Sequence, residues 1–322
     1  MRAMVADEWG RLFVADVKEQ QIRLFDNTGR FIRTFGRRGA GPGEFSNPVG
    51  LAMPGGNELF VYDPGQWRVS VFDTSGALRA GYRAHISSWG PTWNGGIAAD
   101  GRLVDKQQRV NPGDSAVHHD VRVLDLATGR EERFPFPTCG FREPVVFLPG
   151  GVVAAPFSAR GVSAIDPRGG TWCYHTSRAV AYWVPFGDTL ARDSAVSEAA
   201  PAHVESVARD SARRLLERNV RLAGGSRRLL DSLEIPRVRP VLLAVTTDRD
   251  RRLWMMIRDE RGVALHAFDS SRRWIARVRL PVDVIEGRPP LITRDAVFVL
   301  SVNEFDEPVI HRLKLPVALR RP

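Results

Sequence analysis

The chain repeats itself at a fixed interval. The block 7–36 returns 47 positions further on: Phe13-Val14-Ala15-Asp16 reappears as Phe60-Val61-Tyr62-Asp63, and Arg23-Leu24-Phe25-Asp26 reappears within Val69-Ser70-Val71-Phe72-Asp73, with Asp26 and Asp73 in register. Each copy alternates apolar and polar residues over short runs, at 3–6, 12–15, 22–25 and 31–35 in the first, which is the period of β-strands. Asp7-Glu8-Trp9-Gly10, Asp26-Asn27-Thr28-Gly29 and Asp73-Thr74-Ser75-Gly76 separate the runs, and these residue types accept local backbone hydrogen bonds or tolerate positive φ. The aspartates at these corners therefore read as turn formers. Four short strands per unit of about 40–50 residues is the pattern of propeller blades, which bury their faces only against neighbours.

Less regular copies follow. Residues 96–104, 121–125 and 129–136 give a third unit; 145–155, 161–166 and 171–175 a fourth; 242–247, 253–257, 264–269 and 274–280 a fifth; and 291–294, 296–301 and 309–315 a sixth that is one strand short. Either 317–319 supplies the missing strand, or a strand preceding Met1 does and the chain is an N-terminally shortened version of a longer protein. The expected fold is all-β, a six-bladed β-propeller of four-stranded antiparallel blades forming a single domain over 1–322.

One stretch breaks the strand pattern. Val204, Val207, Ala208, Ser211 and Leu215 recur at helical spacing from about Pro201 to Val220, and Pro201 suits a first turn. Glu205/Arg209, Asp210/Arg214 and Glu217/Arg221 place an acid four residues before a base, the favourable order on an exposed helix face. Gly224-Gly225 ends the helix, and a shorter one is expected over 227–233. This helical insertion, 186–235, is placed between blades 4 and 5, as a solvated cap or as a lid or docking arm.

Composition narrows the function classes. No apolar run approaches the ~18–20 residues of a membrane span, and Met1-Arg2-Ala3-Met4 does not read as the opening of a signal peptide, although a missing N-terminal strand would take an export signal with it. The formal net charge is +9, and the last two units carry most of the excess; yet only Lys18, Lys106 and Lys314 are lysines among 46 basic residues, so the arginine excess is a property of the whole chain. Trp254 and Trp274 occupy strand positions, not the exposed aromatic sites that RNA binding requires. Cys139 and Cys173 lie in no zinc-type spacing and are expected to be buried free thiols; one disulfide in an oxidising compartment is the alternative.

Residues 36–48, Gly36-Arg37-Arg38-Gly39-Ala40-Gly41-Pro42-Gly43-Glu44-Phe45-Ser46-Asn47-Pro48, lack the Gly-Lys-Ser/Thr of a phosphate loop and fit a connection between blades. With Val49-Gly50-Leu51-Ala52, the strand 59–63 and the strand 69–73, this segment resembles the NHL-repeat group of six-bladed β-propellers. The likeness is specific over 3–83 and looser beyond. It implies a six-bladed ring with a central funnel. Bacterial members are often exported; others bind RNA or protein, or act as lyases and lactonases through metal held at the funnel. The seven histidines occupy unlike places in their units, so no repeated ligand set is visible, and no catalytic residue, metal or cofactor is nominated.

If a site exists, the expected face carries the second-to-third strand loops and the blade-to-blade connections, because loops on a rigid scaffold are free to specialise. The residues nominated there are Arg37, Arg38 and Glu44; Trp89, Trp93 and Asn94; Lys106, His118 and His119; and Arg258, Asp259, Asn303 and Glu304. The expected function is a non-catalytic binding or protein-interaction scaffold, with a protein, peptide or carbohydrate as partner. A metal-dependent lyase or lactonase-like enzyme is the alternative, and RNA binding through a basic face the third class.

Overall fold

The computed structural model describes residues 3–86, 95–109, 118–137, 139 and 145–320. The first blade is β1 (Met4–Ala6), β2 (Leu12–Asp16), β3 (Gln21–Phe25) and β4 (Phe31–Phe35), and the second is β5 (Gly50–Ala52), β6 (Glu58–Asp63), β7 (Arg68–Asp73) and β8 (Leu78–Arg83). A third sheet comprises β9 (Gly95–Ile97), β10 (Leu103–Arg109), β11 (His118–Leu124) and β12 (Glu131–Pro135). After it come a hairpin, β13 (Val145–Leu148) and β14 (Gly151–Ala154), and the sheet β15 (Gly161–Asp166), β16 (Gly170–His175), β17 (Val180–Pro185) and β18 (Asp193–Val196). Helices α1 (Ser206–Leu222) and α2 (Arg227–Ser232) precede the sheet β19 (Leu242–Thr247), β20 (Leu253–Asp259), β21 (Gly262–Phe268) and β22 (Trp274–Arg279). The chain ends with β23 (Leu291–Ile292), β24 (Ala296–Val302) and β25 (Pro308–Lys314). Every paired strand runs antiparallel to its neighbour, in sequence order.

The first strands β1, β5, β9, β15 and β19 touch one another in turn, and β1 touches β23. Leu243 and Ala244 of β19 share a cluster with Ile292 of β23, which completes a six-bladed ring. Six apolar clusters fill the six junctions. Side-chain alternation explains them, since successive residues of a strand point to opposite faces. Leu59 and Val61 pack against Phe13 and Ile22 of the first blade, whereas Phe60 and Tyr62, one residue out of phase, pack against Ile97 and Leu103 of the third. Likewise Trp254 and Met256 meet Val297 and Val299, while Leu253 and Met255 meet Trp172 and Ala181. Such two-sided burial is why these strands read as almost continuous apolar runs.

The turns form as their residues require. Asp26 accepts the backbone N–H groups of Thr28 (2.8 Å) and Arg30 (2.9 Å), Asp73 those of Ser75 (2.8 Å) and Ala77 (3.0 Å), and Gly29 and Gly76 take φ of +89° and +85°.

Four expectations need correction. Counting the hairpin β13–β14 as a sheet of its own, the helices lie between the fifth and sixth sheets and not between the fourth and fifth as expected, because residues 145–155, read as part of the fourth unit, do not join β15–β18. Residues 193–196, assigned to the insertion, are the outer strand β18. Residues 317–319 form a 3-10 turn, so β23–β25 stays three-stranded among the described residues. Cys139 and Cys173 are bonded to each other, their Cα atoms 5.5 Å apart, which ties the connection after β12 to β16.

Helix α1 also differs in detail. It begins at Ser206, so Pro201 lies outside it, and its buried face is Ala212, Leu216 and Val220, which pack with Val153 and Ala155 of the hairpin region. The expected acid-before-base pairs give way to Arg213–Glu217 at 3.7 Å, while Arg214 donates to the Ser211 hydroxyl at 3.0 Å.

Candidate functional site

A propeller has two faces. One carries the loops nominated above; the opposite one carries the first-to-second and third-to-fourth strand turns. The structure places an axial cavity of about 570 Å³ on the turn face, lined by residues 5–9, Met53, 246–249 and 290–294.

Its walls are built from a repeated local device. Asp7, at the end of β1, accepts the backbone N–H groups of Trp9 (3.0 Å) and Arg11 (2.8 Å) and pairs with the Arg11 guanidinium at 2.6 Å. Asp248, at the end of β19, does the same with Asp250 (2.9 Å), Arg252 (3.0 Å) and the Arg252 guanidinium (2.7 Å), and also accepts the Trp254 indole N–H at 3.0 Å. Both carboxylates are buried and committed to the turns that hold them. Hydrogen bonds then lock blade to blade. Thr247 donates to Asp166 at 2.6 Å, and Arg168 reaches the Asp248 carbonyl at 2.7 Å. Burial alone would raise the pKa of Asp166, but Arg168 and Thr247 hold it below the usual carboxylate range.

Arg249 follows in the same turn and stretches over the mouth, donating to the carbonyls of Ala6 (3.3 Å) and Met53 (3.5 Å) on the first two blades. Glu8, Trp9, Arg249 and Arg294 form an exposed rim. The Trp9 ring is 56% exposed, with the Arg11 guanidinium 5.2 Å from its centroid. The rim thus combines an aromatic surface, two guanidinium groups and one carboxylate above a cavity edged by Thr246 and Thr247, an arrangement suited to a polar ligand with an anionic group.

The nominated loop-face residues are mostly engaged within their own blades. Glu44 accepts the Gly41 N–H at 2.8 Å and pairs with Arg37 at 2.8 Å, and these two bonds hold its carboxyl below the usual range. It braces the glycine-rich connection, whose backbone carbonyls at Gly41 and Glu44 also bind Arg68 at 3.0 and 2.6 Å. Arg38 joins that connection through a backbone bridge to Phe45. Arg258 pairs with Glu286, and Asp259 with Arg277 and, at 2.8 Å, Arg279; burial would raise Asp259, but these arginines keep it low. Asn303 caps its own turn by accepting the N–H groups of Phe305 (3.0 Å) and Glu307 (2.9 Å), and Glu304 is exposed in that turn. Lys106 lies 4.4 Å from the Phe136 ring centroid, and His119 meets the same ring edge-on. Trp89, Trp93, Asn94 and the His118 side chain lie outside the described residues.

Sequence reasoning missed the mouth residues Glu8, Trp9, Arg249 and Arg294, because it treated the first-to-second strand turns purely as punctuation. The signal that could have found them is the recurrence of an aspartate followed four residues later by arginine, as in Asp7/Arg11 and Asp248/Arg252, at the inner end of a first strand. Among the described residues, no group of three or more His, Cys, Asp or Glu side chains comes together in a way that could hold a metal ion, and no helix is long and apolar enough to cross a membrane.

Comparisons with known proteins agree on the fold. Residues 3–80 match a family model, DUF5128, described as a 6-bladed beta-propeller. A crystal structure of a duf4221 family member from Bacteroides vulgatus superposes with a TM-score of 0.53 at 11% identity, covering 98% of this chain and 92% of that one. Weaker likenesses include the calcium-binding protein regucalcin from Agrobacterium tumefaciens (TM-score 0.42, 13% identity, 93% and 81% covered) and a catalytically inactive virginiamycin B lyase from Staphylococcus aureus with quinupristin (0.40, 8%, 96% and 82%). At these scores they carry no argument about chemistry. No curated protein matches the chain.

Proposed function

We propose that this protein is a non-catalytic binding scaffold of NHL-like propeller type, and that it takes a short peptide or peptide segment bearing a carboxylate at the axial mouth of the turn face. The cavity of about 570 Å³ carries this reading. Its walls are fixed by hydrogen bonds between blades, so little ordering cost falls on the protein when a ligand enters. Asp7 and Asp248 are paired with Arg11 and Arg252, and Glu8, Arg249 and Arg294 complete the charged lining, so basic groups outnumber acidic ones beside the cavity. A carboxylate gains charge-assisted bonds from guanidinium groups there, and Trp9 offers apolar surface beside them. The lyase or lactonase alternative requires convergent metal donors, and the described residues supply no such set.

The test is a ligand-observed NMR screen with a tetrapeptide library, run on the wild-type protein and on Thr246→Trp, which fills the cavity. Acidic peptides are expected to bind the wild type saturably and to lose at least tenfold in affinity with the filled variant, whose melting temperature stays close to wild type. Binding that is indifferent both to cavity filling and to peptide charge would overturn the proposal.

A further inference from the structure

Helix α1 carries two apolar stripes, and only one of them is buried. Ala212, Leu216, Val220 and Ala223 face the β13–β14 hairpin. On the other side Val207 is 72% exposed, Leu215 48% and Leu222 73%. At 100° per residue these three fall within about 80° of one another, with Ser211 and Arg218 between them. The run Ser211, Leu215, Arg218, Leu222 is spaced 4, 3, 4, the seam spacing of helices that pair side by side. Val207, Leu215 and Leu222 thus mark one side of the helix from its first turn to its last, with Ser211 and Arg218 interleaved.

Charge selects the occupant. Arg214 and Arg221 flank one edge of the stripe, and Arg218 lies within it. Among the described residues Arg218 and Arg221 make no ion pair; beyond that edge lie two acids, Asp210 and Glu217, of which Glu217 pairs with Arg213, so arginines outnumber acids on this side three to two. A second copy of this chain would bring Arg214 and Arg221 against their own counterparts in an antiparallel pair and would place Arg218 in the seam twice in either orientation. We infer that the outer face of α1 docks an amphipathic helical segment of another protein, with leucine-type residues on its seam and Asp or Glu beside them. No residue of α1 lines the axial cavity, so the two surfaces are distinct. The proposal therefore stands independently of the peptide-binding reading.

The probe is a synthetic four-heptad peptide with Leu at the seam positions and Glu at the flanking ones, measured by fluorescence anisotropy against the intact chain; a Lys-flanked peptide is the control. Binding of the Glu peptide is expected to weaken at least tenfold in Leu222→Asp and in Arg218→Glu, and the Lys peptide is expected to gain affinity for Arg218→Glu. Both substitutions lie on the exposed face, and unchanged far-UV circular dichroism confirms that the helix persists. Equal binding of the two peptides, no binding of either, or Leu222-dependent binding to phosphatidylglycerol vesicles in place of the Glu peptide would overturn the inference. So would a concentration-dependent dimer that Leu222→Asp disperses.

Discussion

The Thr247 hydroxyl donates to the Asp166 carboxylate at 2.6 Å, joining the ends of two first strands 81 residues apart. Asp166 also holds Arg168, which in turn reaches the Asp248 carbonyl, so one carboxylate organises the turn-face junction between β15 and β19. Thr247→Val removes the donor and leaves Asp166 paired only with Arg168. The expected cost is about 1–2 kcal/mol, read as a lower denaturation midpoint with an unchanged m-value.

Acid should loosen the blade carrying β21. His266 is buried, its Nδ1 is hydrogen-bonded to the Ser197 hydroxyl, and burial, reinforced by Arg277, lowers its pKa to about 4. The folded-state value lies below the unfolded one of about 6.5, so between these pH values the unfolded chain binds more protons. Stability from this group is full above pH ~6.5 and is lost as pH falls toward 4, by at most about 1.4 kcal/mol per pH unit. Chemical denaturation across that window should show a shallower pH slope in His266→Asn than in the wild type; equal slopes would refute the assignment.

Gly36 and Gly29 separate backbone strain from steric conflict. Both have positive φ, +72° and +89°, but a Cβ at Gly36 would lie 2.2 Å from the buried Phe45 ring, whereas at Gly29 nothing stands within 4 Å. Gly29→Ala should cost about 1 kcal/mol and Gly36→Ala about 2–4 kcal/mol, since the latter adds displacement of a packed ring. Thermal melts of the two variants measure the difference directly.

Reducing the Cys139–Cys173 bond frees a loop closed across 34 residues. Loop-closure entropy sets the expected loss at about 3–4 kcal/mol, visible as a lower melting temperature with reductant, and the paired serine variant should reproduce it without reductant.

Local chemistry was legible in the sequence, and convergence was not. Asp26 and Asp73 announce their turns because an aspartate bonds the N–H groups two and four residues on, within a single window. Leu59 to Tyr62 announce a strand packed on both sides because alternate residues enter different clusters. Helix α1 was readable as a helix, but its buried face was not: Val207, Ser211 and Leu215 show the same spacing as Ala212, Leu216 and Val220, and only the hairpin decides which stripe it covers. The hairpin itself depends on pairing choices between similar apolar runs. Arg249 meets a carbonyl 243 residues away, a relationship that no local pattern encodes. The same limit hid the pairing of Cys139 with Cys173.

Hydrogen exchange of the intact protein, with and without the tightest acidic tetrapeptide, tests the central claim most directly. Protection is expected on the turn face, in 7–11, 246–250 and 290–294, with 36–45, 303–307 and α1 unchanged. Protection confined to the Arg37–Glu44 connection and the Asn303 turn would place the ligand on the opposite face and contradict the account.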